Sequence, residues 1–578
     1  MDLKTIVAVV LSVVVIVVSL VVQSVFFKTD PVEEVAVPET AVEQEDKTQG
    51  EERDETESTR AQGEVSPAER EGREREIVRE TDLYRITFST FGGTVRSLQL
   101  KEFKNTDGTQ VDMILFSDRD HYPFSIHFGD FTAPAAGGVY EFKEIRSNRW
   151  EFSKVFLSQT GVPFTVKKTY SFPYAEYLME LRITIENSVN DYPALDFEGI
   201  SYTLGFGPQI GPPFEKLDNR NEYRHYLYYA DGKRRDAKLD RGPVELDRRV
   251  LWTSIVGKYF GVIAVPGATD YRITYDATAV PGIPDRSSMF FSRPLLKSSK
   301  NTDTYKFYVG PKRRETLLQY NNPQENSYGI GDLHFEEVIS TSVWIGWLAN
   351  ILKFFLELFY RVVPNYGVAI ILLTILIKVI LFPLTHKSYE STSKMQGLSG
   401  KVEEIRQKYK EKSERMNQEI AELYKKEGVN PLGGCLPLLL QLPIFLALFN
   451  LLSNHFELRG ASFIASWIVD LSAPESVWDF SPLAIPILGW HNLRLLPFIM
   501  LGTTFLQSLL TQSPGSQGGQ MKMLAYAMPI FFFFILYDMP SGLVLYWTMQ
   551  NVLTIVQQLL INRVMNKGKG RSSPPRRN

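Results

Sequence analysis

The sequence lacks most of the residues and motifs that form catalytic and metal sites. Its 578 residues include one cysteine, Cys435, and seven scattered histidines. A single cysteine excludes an intramolecular disulfide, and so few nitrogen and sulfur ligands argue against a zinc site. The chain also has no glycine-rich phosphate loop and no nucleophile elbow. We therefore expect a protein that is not an enzyme and that holds neither a metal nor a cofactor.

Long apolar runs, in contrast, are abundant in the second half of the chain. The overall composition, 44% hydrophobic with a net charge of −3, is that of a globular protein. This average conceals a polar front part and an apolar back part, and the length leaves room for several domains. The predicted fold class is a multi-domain membrane protein. It combines a polytopic α-helical bundle of six spans with a large extracytoplasmic all-β sandwich domain.

The first 80 residues form two segments of opposite character. Residues 5–27 are apolar and rich in valine, and the run ends without a small-residue cleavage site. Residues 1–29 are therefore predicted to be an uncleaved membrane anchor. Residues 30–80 are dominated by glutamate and almost lack aromatic residues. Such a segment cannot bury enough apolar surface to offset its ordering entropy, which predicts a disordered acidic linker.

Residues 81–336 alternate between apolar and polar positions in short runs broken by Gly, Pro, Asn and Asp. A period of two in runs rich in Tyr, Phe, Thr, Val and Ile is typical of antiparallel strands. A long stretch of this kind without a clear long helix predicts one large sandwich of two sheets. Its aromatic residues fit either sandwich packing or a platform for sugars.

Residues 341–363 are apolar but differ from a membrane span in where their charges fall. Lys353, Glu357 and Arg361 recur every four residues, which places the charge on one helix face. The apolar side is formed by Trp344, Trp347, Phe354, Phe355 and Leu358. This pattern predicts an amphipathic helix that lies along the membrane interface within residues 337–365.

The stretch Tyr366–Thr385 is long and apolar enough to cross a bilayer, yet Lys378 lies well inside it. A charge at the centre of a span costs about 2.5–3.5 kcal/mol on insertion scales, so an intramembrane lysine indicates a functional site. The small and polar residues of this span share one helix face with the lysine: Gly367, Ile371, Thr374 and Lys378. We predict that Lys378 faces a polar cavity. Snorkelling to the interface and an ion pair inside the bundle stay open as alternatives.

Residues 386–432 are highly charged, with ten Lys or Arg and eight acidic residues up to position 431. Two helical patterns, roughly 387–410 and 414–427, end at Gly428 and at Asn430-Pro431. They predict a helical hairpin that projects from the membrane into water. A merely solvated charged loop has the same composition.

Four further spans are predicted between residues 433 and 562, at about 433–452, 493–510, 521–537 and 543–561. A tight turn at 538–542 joins the last two. Polar residues form stripes on two of these helices: Thr503, Thr504, Gln507 and Thr511 on one, and Trp547, Asn551, Thr554 and Gln558 on the other. Gln441 lies mid-span between two prolines. Such residues often bond between helices, but several of them beside an intramembrane lysine favour a shared wet cavity.

Basic residues set the predicted orientation. The hairpin carries ten of them, the tail 563–578 carries six with no acidic residue, and the loop 453–492 carries only Arg459. Because cytoplasmic loops are enriched in Lys and Arg, the hairpin and the tail are predicted to be cytoplasmic. With six spans, both termini are then cytoplasmic and the β domain is periplasmic. If 341–363 also spanned the membrane, the β domain would be cytoplasmic instead.

The chain resembles the YidC family of bacterial membrane protein insertases, which is related to the Oxa-type insertases of organelles. The matching segments are ILIKVILFPLT (375–385), ELYKKEGVNPLGGCLPLLLQLPIFLAL (422–448), MPSGLVLYW (539–547) and NVLTIVQQLLI (551–561). The resemblance covers nearly the whole chain after about residue 80. The large extracytoplasmic β domain is the arrangement of Gram-negative-type members, whose sandwich resembles sugar-binding folds.

This resemblance implies a groove that opens to cytoplasm and lipid and is closed on the outside. The functional cation of the family is usually an arginine, and the position is Lys378 here. Lysine keeps the charge but loses the planar fork of donors. Other contact positions of the family correspond to Thr374, Leu442, Phe445 and Trp547. Together with Gln441 and Asn551 from the polar spans, these residues form the predicted substrate groove.

The predicted function is insertion and folding of integral membrane proteins in the bacterial inner membrane, alone or with the Sec translocon. Nascent membrane proteins, membrane lipids and the ribosome are the expected partners, and DNA is not. The basic tail is expected to contact ribosomal RNA or anionic lipid. Its cations are Arg563, Lys567, Lys569, Arg571, Arg576 and Arg577. Two alternatives stay open: a membrane-anchored periplasmic protein that binds or modifies sugars, and a transporter with Lys378 as the counter-ion.

Overall fold

The structure is a computed structural model that describes residues 66–67 and 72–569, apart from short gaps. The gaps are 106, 117–121, 188–194, 215–216, 218–221, 240–241, 280–282, 284, 340–345, 429–435, 482, 484, 486–488 and 512–518. Side chains are also not described at 66–67, 387, 389–393, 395–396, 413, 436–439, 511, 519–526, 562 and 564–569. The predicted anchor at 1–29, most of the predicted linker, Cys435 and the end of the basic tail lie outside the described residues.

The polar front part of the chain forms an antiparallel β domain, as its period-two alternation predicts. Its strands are β1 Ser66–Pro67, β2 Glu76–Glu80, β3 Tyr84–Ser89, β4 Thr94–Lys104, β5 Gln110–Asp112, β6 Ile114–Leu115, β7 Ser125–His127, β8 Glu141–Arg146, β9 Arg149–Leu157, β10 Pro163–Ser171, β11 Leu178–Glu186, β12 Ile200–Phe206, β13 Gln209–Ile210, β14 His225–Ala230, β15 Lys233–Ala237, β16 Val244–Leu246, β17 Trp252–Val256, β18 Phe260–Val265, β19 Arg272–Asp276, β20 Ser288–Pro294 and β21 Lys300–Pro311.

The strands form a sandwich. A ten-stranded sheet has the order β1-β9-β10-β11-β21-β18-β17-β14-β15, with β8 beside β9, and a five-stranded sheet has the order β16-β19-β20-β12-β7. The two sheets share one aromatic core, in which the ring of Phe307 on β21 lies 6.0 Å from Phe206 on β12 and 6.1 Å from Phe291 on β20. The predicted β sandwich is thus confirmed. It also contains a third sheet, β2-β3-β4-β5, whose Phe88 packs on Trp150 and Tyr170 of the large sheet.

The β domain begins earlier than the sequence predicted. Glu76–Glu80 pairs along its whole length with Arg85–Ser89, although it falls inside the segment predicted to be a disordered linker. The reason is that an edge strand needs few apolar residues. Ile77 packs against the core, and Arg79, on the same face of the strand, forms an ion pair with Glu144 at 3.1 Å.

The back part of the chain is helical. The helices, counted from the end of the β domain, are α1 Arg314–Leu318, α2 Gly346–Val362, α3 Tyr366–Gly397, α4 Ser399–Lys408, α5 Ser413–Lys426, α6 Leu436–Asn454, α7 Leu495–Thr511, α8 Gly519–Leu536 and α9 Ser541–Lys569. Short 3₁₀ turns occur at Gln319–Asn321, Phe335–Val338 and Phe456–Leu458. A two-stranded ribbon, β22 Trp478–Asp479 with β23 Asn492–Leu493, lies between α6 and α7.

Helix α3 runs past the predicted end of its span at Thr385 and continues to Gly397 with Pro383 inside it. The first helix of the predicted hairpin, 387–410, therefore corresponds to the end of α3 together with α4, while the second corresponds to α5. The change to charged residues after Pro383 is therefore not a helix end. A proline removes only one backbone hydrogen bond of the ladder.

Among the described residues, one helical segment, Tyr366–His386, is both long and apolar enough to cross a membrane. Three shorter apolar helices are Leu440–Asn454, Leu495–Leu510 and Ala527–Leu536. Six spans are therefore not confirmed as predicted, and the first of them lies outside the described part of the chain. Polar residues within α9, such as Asn551 and Gln557, lower the hydropathy of a helix that is otherwise long enough.

The β domain and the helices meet at the residues that follow α6. Phe456 belongs to the β-domain core, with its ring 5.3 Å from that of Phe103 and 5.6 Å from that of Phe260. The guanidinium of Arg313 lies 4.8 Å from the centre of the Phe456 ring. From the β domain, Lys258 Nζ donates a hydrogen bond of 3.2 Å to the Ser472 carbonyl. The joint between the two parts is thus packed rather than a loose tether.

Candidate functional site

Lys378 lies between helices α3 and α9. Its side chain is buried, with 9% of the residue exposed. Nζ donates a hydrogen bond of 2.7 Å to Thr554 Oγ1, and that hydroxyl donates to the Gln550 carbonyl at 2.7 Å on its own helix. Among the described residues no opposite charge acts on this ammonium. The lysine is therefore held by one neutral hydroxyl, and the ion pair considered from the sequence is absent from the described part of the bundle.

A cavity of about 660 Å³ opens beside this lysine. Its described lining comes from α3 and α9: Ile375, Lys378, Val379, Phe382, His386, Lys394, Leu553, Val556, Gln557, Leu560 and Ile561. The lining is thus mostly aliphatic, with Lys378 and Gln557 as polar groups beside Phe382. Toward the end of α3 the cavity acquires two further basic side chains, His386 and Lys394. This cavity is called the lysine groove below.

Polar bonds tie the groove helix α9 to its neighbours. Asn551 Nδ2 donates to Thr504 Oγ1 at 2.8 Å and to Thr503 Oγ1 at 3.3 Å, which joins α9 to α7. Gln557 Nε2 donates to Thr385 Oγ1 at 3.2 Å, which joins α9 to α3. The polar stripes predicted on α7 and α9 therefore contact each other, and Asn551 forms hydrogen bonds between the two helices.

Several polar atoms on α9 are buried and accept or donate no hydrogen bond within the described part of the chain. They are Trp547 Nε1, Gln550 Oε1 and Gln557 Oε1. Buried polar atoms are rarely left without partners, because each costs about 1–3 kcal/mol in that state. The side of α9 that carries them is thus suited to contact with water or with a polar guest.

An aromatic cluster covers α9 one turn before Asn551. The Trp547 ring lies 5.0 Å from Phe445 of α6, edge-on at 87°, and 5.0 Å from Phe532 of α8. Leu442 is 39% exposed one turn before Phe445 on α6. Leu442, Phe445 and Trp547 give the bundle a partly open apolar surface between α6 and α9.

The structure separates the predicted groove residues into three groups. Lys378 lines the groove, Leu442, Phe445 and Trp547 belong to the apolar surface on α6 and α9, and Asn551 bonds to α7. Thr374 is fully buried and donates to the Ile370 carbonyl at 2.7 Å, within its own helix. Gln441 lies half-buried on α6 and does not line the groove.

Sequence reasoning did not choose Thr554 or Gln557 as site residues, although both lie at the groove. Thr554 was on the recognised polar stripe of α9, so the signal was present. Gln557 lies next to that stripe, and only packing shows that its side of α9 meets α3. In the basic tail, Arg563 is exposed on α9, Lys567 and Lys569 lie on α9 without described side chains, and Arg571, Arg576 and Arg577 lie outside the described residues.

Comparison with known families and proteins agrees with this architecture. The model of the family described as 60Kd inner membrane protein matches residues 358–569, and the model of the YidC periplasmic domain matches residues 76–356. The membrane protein insertase YidC of Treponema denticola is 37% identical over 517 residues, which is 87% of this chain and 88% of the relative. The corresponding protein of Treponema pallidum is 35% identical over 538 residues, 86% of each chain.

A crystal structure of an active YidC insertase aligns with 86% of this chain and 95% of its own, at 18% identity and a TM-score of 0.36. The two family models together cover the β domain and the helical part, in the order found here. They describe an inner-membrane protein with a periplasmic domain, and the relatives are named insertases rather than enzymes. The chain belongs to the YidC family of membrane protein insertases.

Proposed function

We propose that this chain inserts nascent integral membrane proteins by receiving their polar segments in the lysine groove. The observation that carries the proposal is the position of Lys378. It is a buried cation whose one described partner is the neutral Thr554 hydroxyl, and it lines a cavity of about 660 Å³. An ammonium with one neutral partner can still receive a carboxylate or a peptide carbonyl from a guest.

The energetic role of the groove follows from the cost of polar groups in lipid. Moving an unpaired amide or hydroxyl into an apolar medium costs about 2–7 kcal/mol, and an isolated carboxylate costs far more. A segment that enters the groove would exchange hydrocarbon for the Lys378 ammonium and for the amide of Gln557. These contacts would offset part of the barrier without a nucleotide. The driving force would then be the partitioning of the substrate's apolar helix into lipid.

The buried polar atoms of α9 support a groove that holds water or a polar segment. Trp547, Gln550 and Gln557 each present an atom with no described partner, and Gln557 lines the lysine groove. In a closed apolar bundle they would carry a desolvation cost and contribute nothing. In a wet groove they would bond to water at rest and to the substrate backbone during transit.

The apolar helix of the substrate would leave along the surface formed by Leu442, Phe445 and Trp547. Leu442 is exposed toward the bundle surface, and the two aromatic rings contact each other edge-on. Such a surface gives a passing helix apolar contact without fixing its sequence. Helix α2 exposes Trp347, Phe354 and Val362, which suit the membrane interface.

The proposed membrane topology rests on the distribution of basic residues. We place both termini, the hairpin α4–α5 and the basic tail in the cytoplasm, with six spans in total and the β domain in the periplasm. The tail from Arg563 onward would contact the ribosome or anionic lipid, and the insertase would act alone or beside the Sec translocon. Ribosome binding that persists after all six cations of the tail are replaced by glutamine would argue against this role of the tail.

The test replaces Lys378 by Arg, Gln and Ala in cells depleted of their own insertase. Growth is measured together with insertion of a small substrate that carries an acidic translocated segment. We expect Lys378→Arg to work, and both neutral variants to lower insertion of the acidic substrate by at least about tenfold, the equivalent of one charge-assisted hydrogen bond.

Matched controls use two threonines of the same helix. Thr554→Val removes the partner of Lys378, whereas Thr548→Val removes a hydroxyl whose described hydrogen bond goes to the Val544 carbonyl of its own helix. We expect Thr554→Val to reduce insertion and Thr548→Val to leave it unchanged. If Lys378→Ala inserts every substrate as well as the parent protein, the cationic step of the proposal is wrong.

A further inference from the structure

The segment between α6 and α7 exposes large apolar side chains that the proposed function does not use. Val477 is 52% exposed, Trp478 is 65% exposed and Leu493 is 40% exposed. None of the three belongs to the described lining of the lysine groove. Trp478 and Leu493 are directly paired across the β22–β23 ribbon, and we call these two residues the ribbon patch. Exposed apolar groups that lie together mark a surface for interaction.

The ribbon is polar on its other face. Asp479 and Asn492 form the next pair across the ribbon, and successive side chains of a strand point to opposite faces. The Ser481 backbone N–H donates to Asp479 Oδ1 at 2.8 Å and lowers the pKa of that carboxyl, so Asp479 is charged at neutral pH. The Ser476 hydroxyl donates to Asn492 Oδ1 at 2.8 Å. The ribbon therefore has one apolar face and one polar face.

Several contacts fix the ribbon to one end of the helical bundle. Trp490 stacks on Tyr537, just after α8, with ring centres 3.6 Å apart and planes 9° apart. Tyr537 Oη donates to the Asn492 carbonyl at 2.7 Å. Arg494 donates to the Tyr537 carbonyl at 2.8 Å and forms an ion pair with Asp538. The ribbon patch is thus held in a defined position where α8 meets α9.

The patch continues the exposed side of α7. Leu493 and Leu495 are both exposed, whereas Arg494 between them bonds to Tyr537. Further along α7, exposed apolar residues recur every three or four positions and share one helix face with Leu495. They are Phe498, Ile499, Leu506 and Leu509. One apolar surface therefore extends from α7 onto the ribbon.

We propose that the ribbon patch docks into the headgroup region of the phospholipid bilayer, on its periplasmic leaflet. The inference rests on the proposed function's placement of α7 as a membrane span. Where the exposed side of α7 lies in lipid, a patch that continues this side lies at the boundary of the same leaflet. Tryptophan suits this level, because its ring is apolar and its N–H is polar. Asp479 and Asn492, on the other face, stay in water.

Lipid accounts for this surface better than a protein partner does. A protein interface usually has a compact centre enclosed by a polar rim. The ribbon patch instead continues without a rim along the exposed side of α7. Docking would hold α7 at a constant depth in the bilayer. Because Asn551 joins α7 to α9, docking would also fix the depth of the lysine groove.

The test measures which of two adjacent residues lies in lipid. In the full chain, Cys435→Ser removes the one cysteine of the sequence, and Trp478→Cys or Asp479→Cys then adds a single labelling site. Each protein carries an environment-sensitive fluorophore and is placed in phospholipid nanodiscs. One quencher is a phospholipid brominated high on its acyl chains, because apolar faces at the interface are buried by about 5–10 Å. The other quencher is iodide in the water.

We expect brominated lipid to quench the label of Trp478→Cys and iodide to quench the label of Asp479→Cys. Adding Leu493→Asp to Trp478→Cys should abolish quenching by lipid and introduce quenching by iodide, because a carboxylate is costly in the apolar part of a bilayer. The matched control, Asn492→Asp, adds the same charge to the polar face and should leave the quenching pattern unchanged. Parental melting temperatures establish that the variants fold.

If Trp478→Cys does not fold, Leu493→Cys takes its place on the same face. The proposal is overturned if iodide quenches the labels of Trp478→Cys and Asp479→Cys equally, which would leave the patch to a protein partner. It is also overturned if brominated lipid quenches both labels equally.

A label at Leu506→Cys, on the exposed side of α7, separates this inference from the proposed topology. Quenching by lipid at Leu506→Cys but by iodide at Trp478→Cys would refute the docking of the ribbon and leave α7 as a span. Loss of lipid quenching at both positions would refute the span and the docking together.

Discussion

Two buried lysines, one in the β domain and one among the helices, differ in what surrounds them. Lys168 on β10 is fully buried, and its Nζ donates to the Gly92 carbonyl at 2.8 Å and to the Phe124 carbonyl at 2.6 Å. Lys378 is nearly as buried, but its one described hydrogen bond goes to Thr554, and it borders a cavity. One lysine is enclosed by fixed acceptors, and the other is open to a guest.

The difference shows that burial alone does not mark a functional charge. In the β domain, burial lowers the pKa of Lys168 well below its ordinary value, and two backbone carbonyls accept hydrogen bonds from its Nζ. In the helical part, Lys378 has fewer bonds than its three donors allow. The predictions that follow test this contrast, beginning with the largest expected effect.

Replacing each lysine by methionine should separate structure from function. Lys168→Met keeps the volume but leaves two buried carbonyls without their donor, at a cost of about 4 kcal/mol in the free energy of unfolding. Lys378→Met should cost less than about 1 kcal/mol, because Thr554 keeps its bond to Gln550. Thermal unfolding of the full chain in nanodiscs measures both. Equal destabilisation by the two substitutions would mean that Lys168 and Lys378 do not differ in their contribution to stability.

Substitution of Phe456 tests whether packing at this residue holds the β domain and the helical part together. It follows α6 in the chain, yet it packs in the β-domain core beside Phe103 and Phe260. Phe456→Ala should cost about 3 kcal/mol through the cavity it leaves. We expect faster hydrogen exchange in residues 455–461 while β10 and β11 keep their protection. Unchanged exchange at the joint would mean that Phe456 does not hold the two regions together.

The sequence predicted the β domain and the cationic span well, because both leave local patterns. Alternation with a period of two identified the strands, and a charge inside an apolar run identified Lys378. The strand Glu76–Glu80 was missed because its composition continues that of the acidic linker. Thr374 was expected at the groove from its helix face, but its hydroxyl bonds within α3. The spacing of residues along a helix shows which of them share a helix face. It does not show which other element packs against that face.

Asn551 tests polar bonding between helices, with a smaller effect. Its amide donates to Thr503 and Thr504 of α7. Asn551→Leu should reduce the free energy of unfolding by about 1 kcal/mol, since bonds between helices in membranes are individually weak. Insertion should fall less than with Lys378→Gln, and the same insertion assay measures this. A loss as large as that of Lys378→Gln would assign Asn551 a direct part in receiving the substrate.

The smallest expected effect is a pH dependence of stability that arises from Lys312, the residue after β21. Burial lowers the pKa of Lys312 to about 7. The nearby charges of Arg234 and Arg224 also lower this pKa, whereas that of Glu222 raises it. The unfolded chain, with a lysine pKa of about 10.4, then binds the proton more tightly. Stability contributed by the neutral form should therefore rise between pH 7 and pH 10.

The melting temperature should accordingly increase from pH 7 to pH 9 by more in the parent protein than in Lys312→Met. Lys300→Met, on an exposed lysine of β21, is the matched control and should keep the parental slope. The same slope in all three proteins would show that Lys312 is protonated in the folded chain throughout this range.

The sequence by itself determined the partition into a β domain and apolar helices, the amphipathic pattern of α2 and the cation inside α3. These features follow from local periodicity and from the cost of charge in lipid. The tertiary structure decided that Lys378 meets Thr554, 176 residues away, and that Phe456 joins the β-domain core. It also stacked Trp490 of the ribbon segment on Tyr537. Contacts between distant elements depend on which faces pack together, and a local sequence pattern does not show which element packs against a given face.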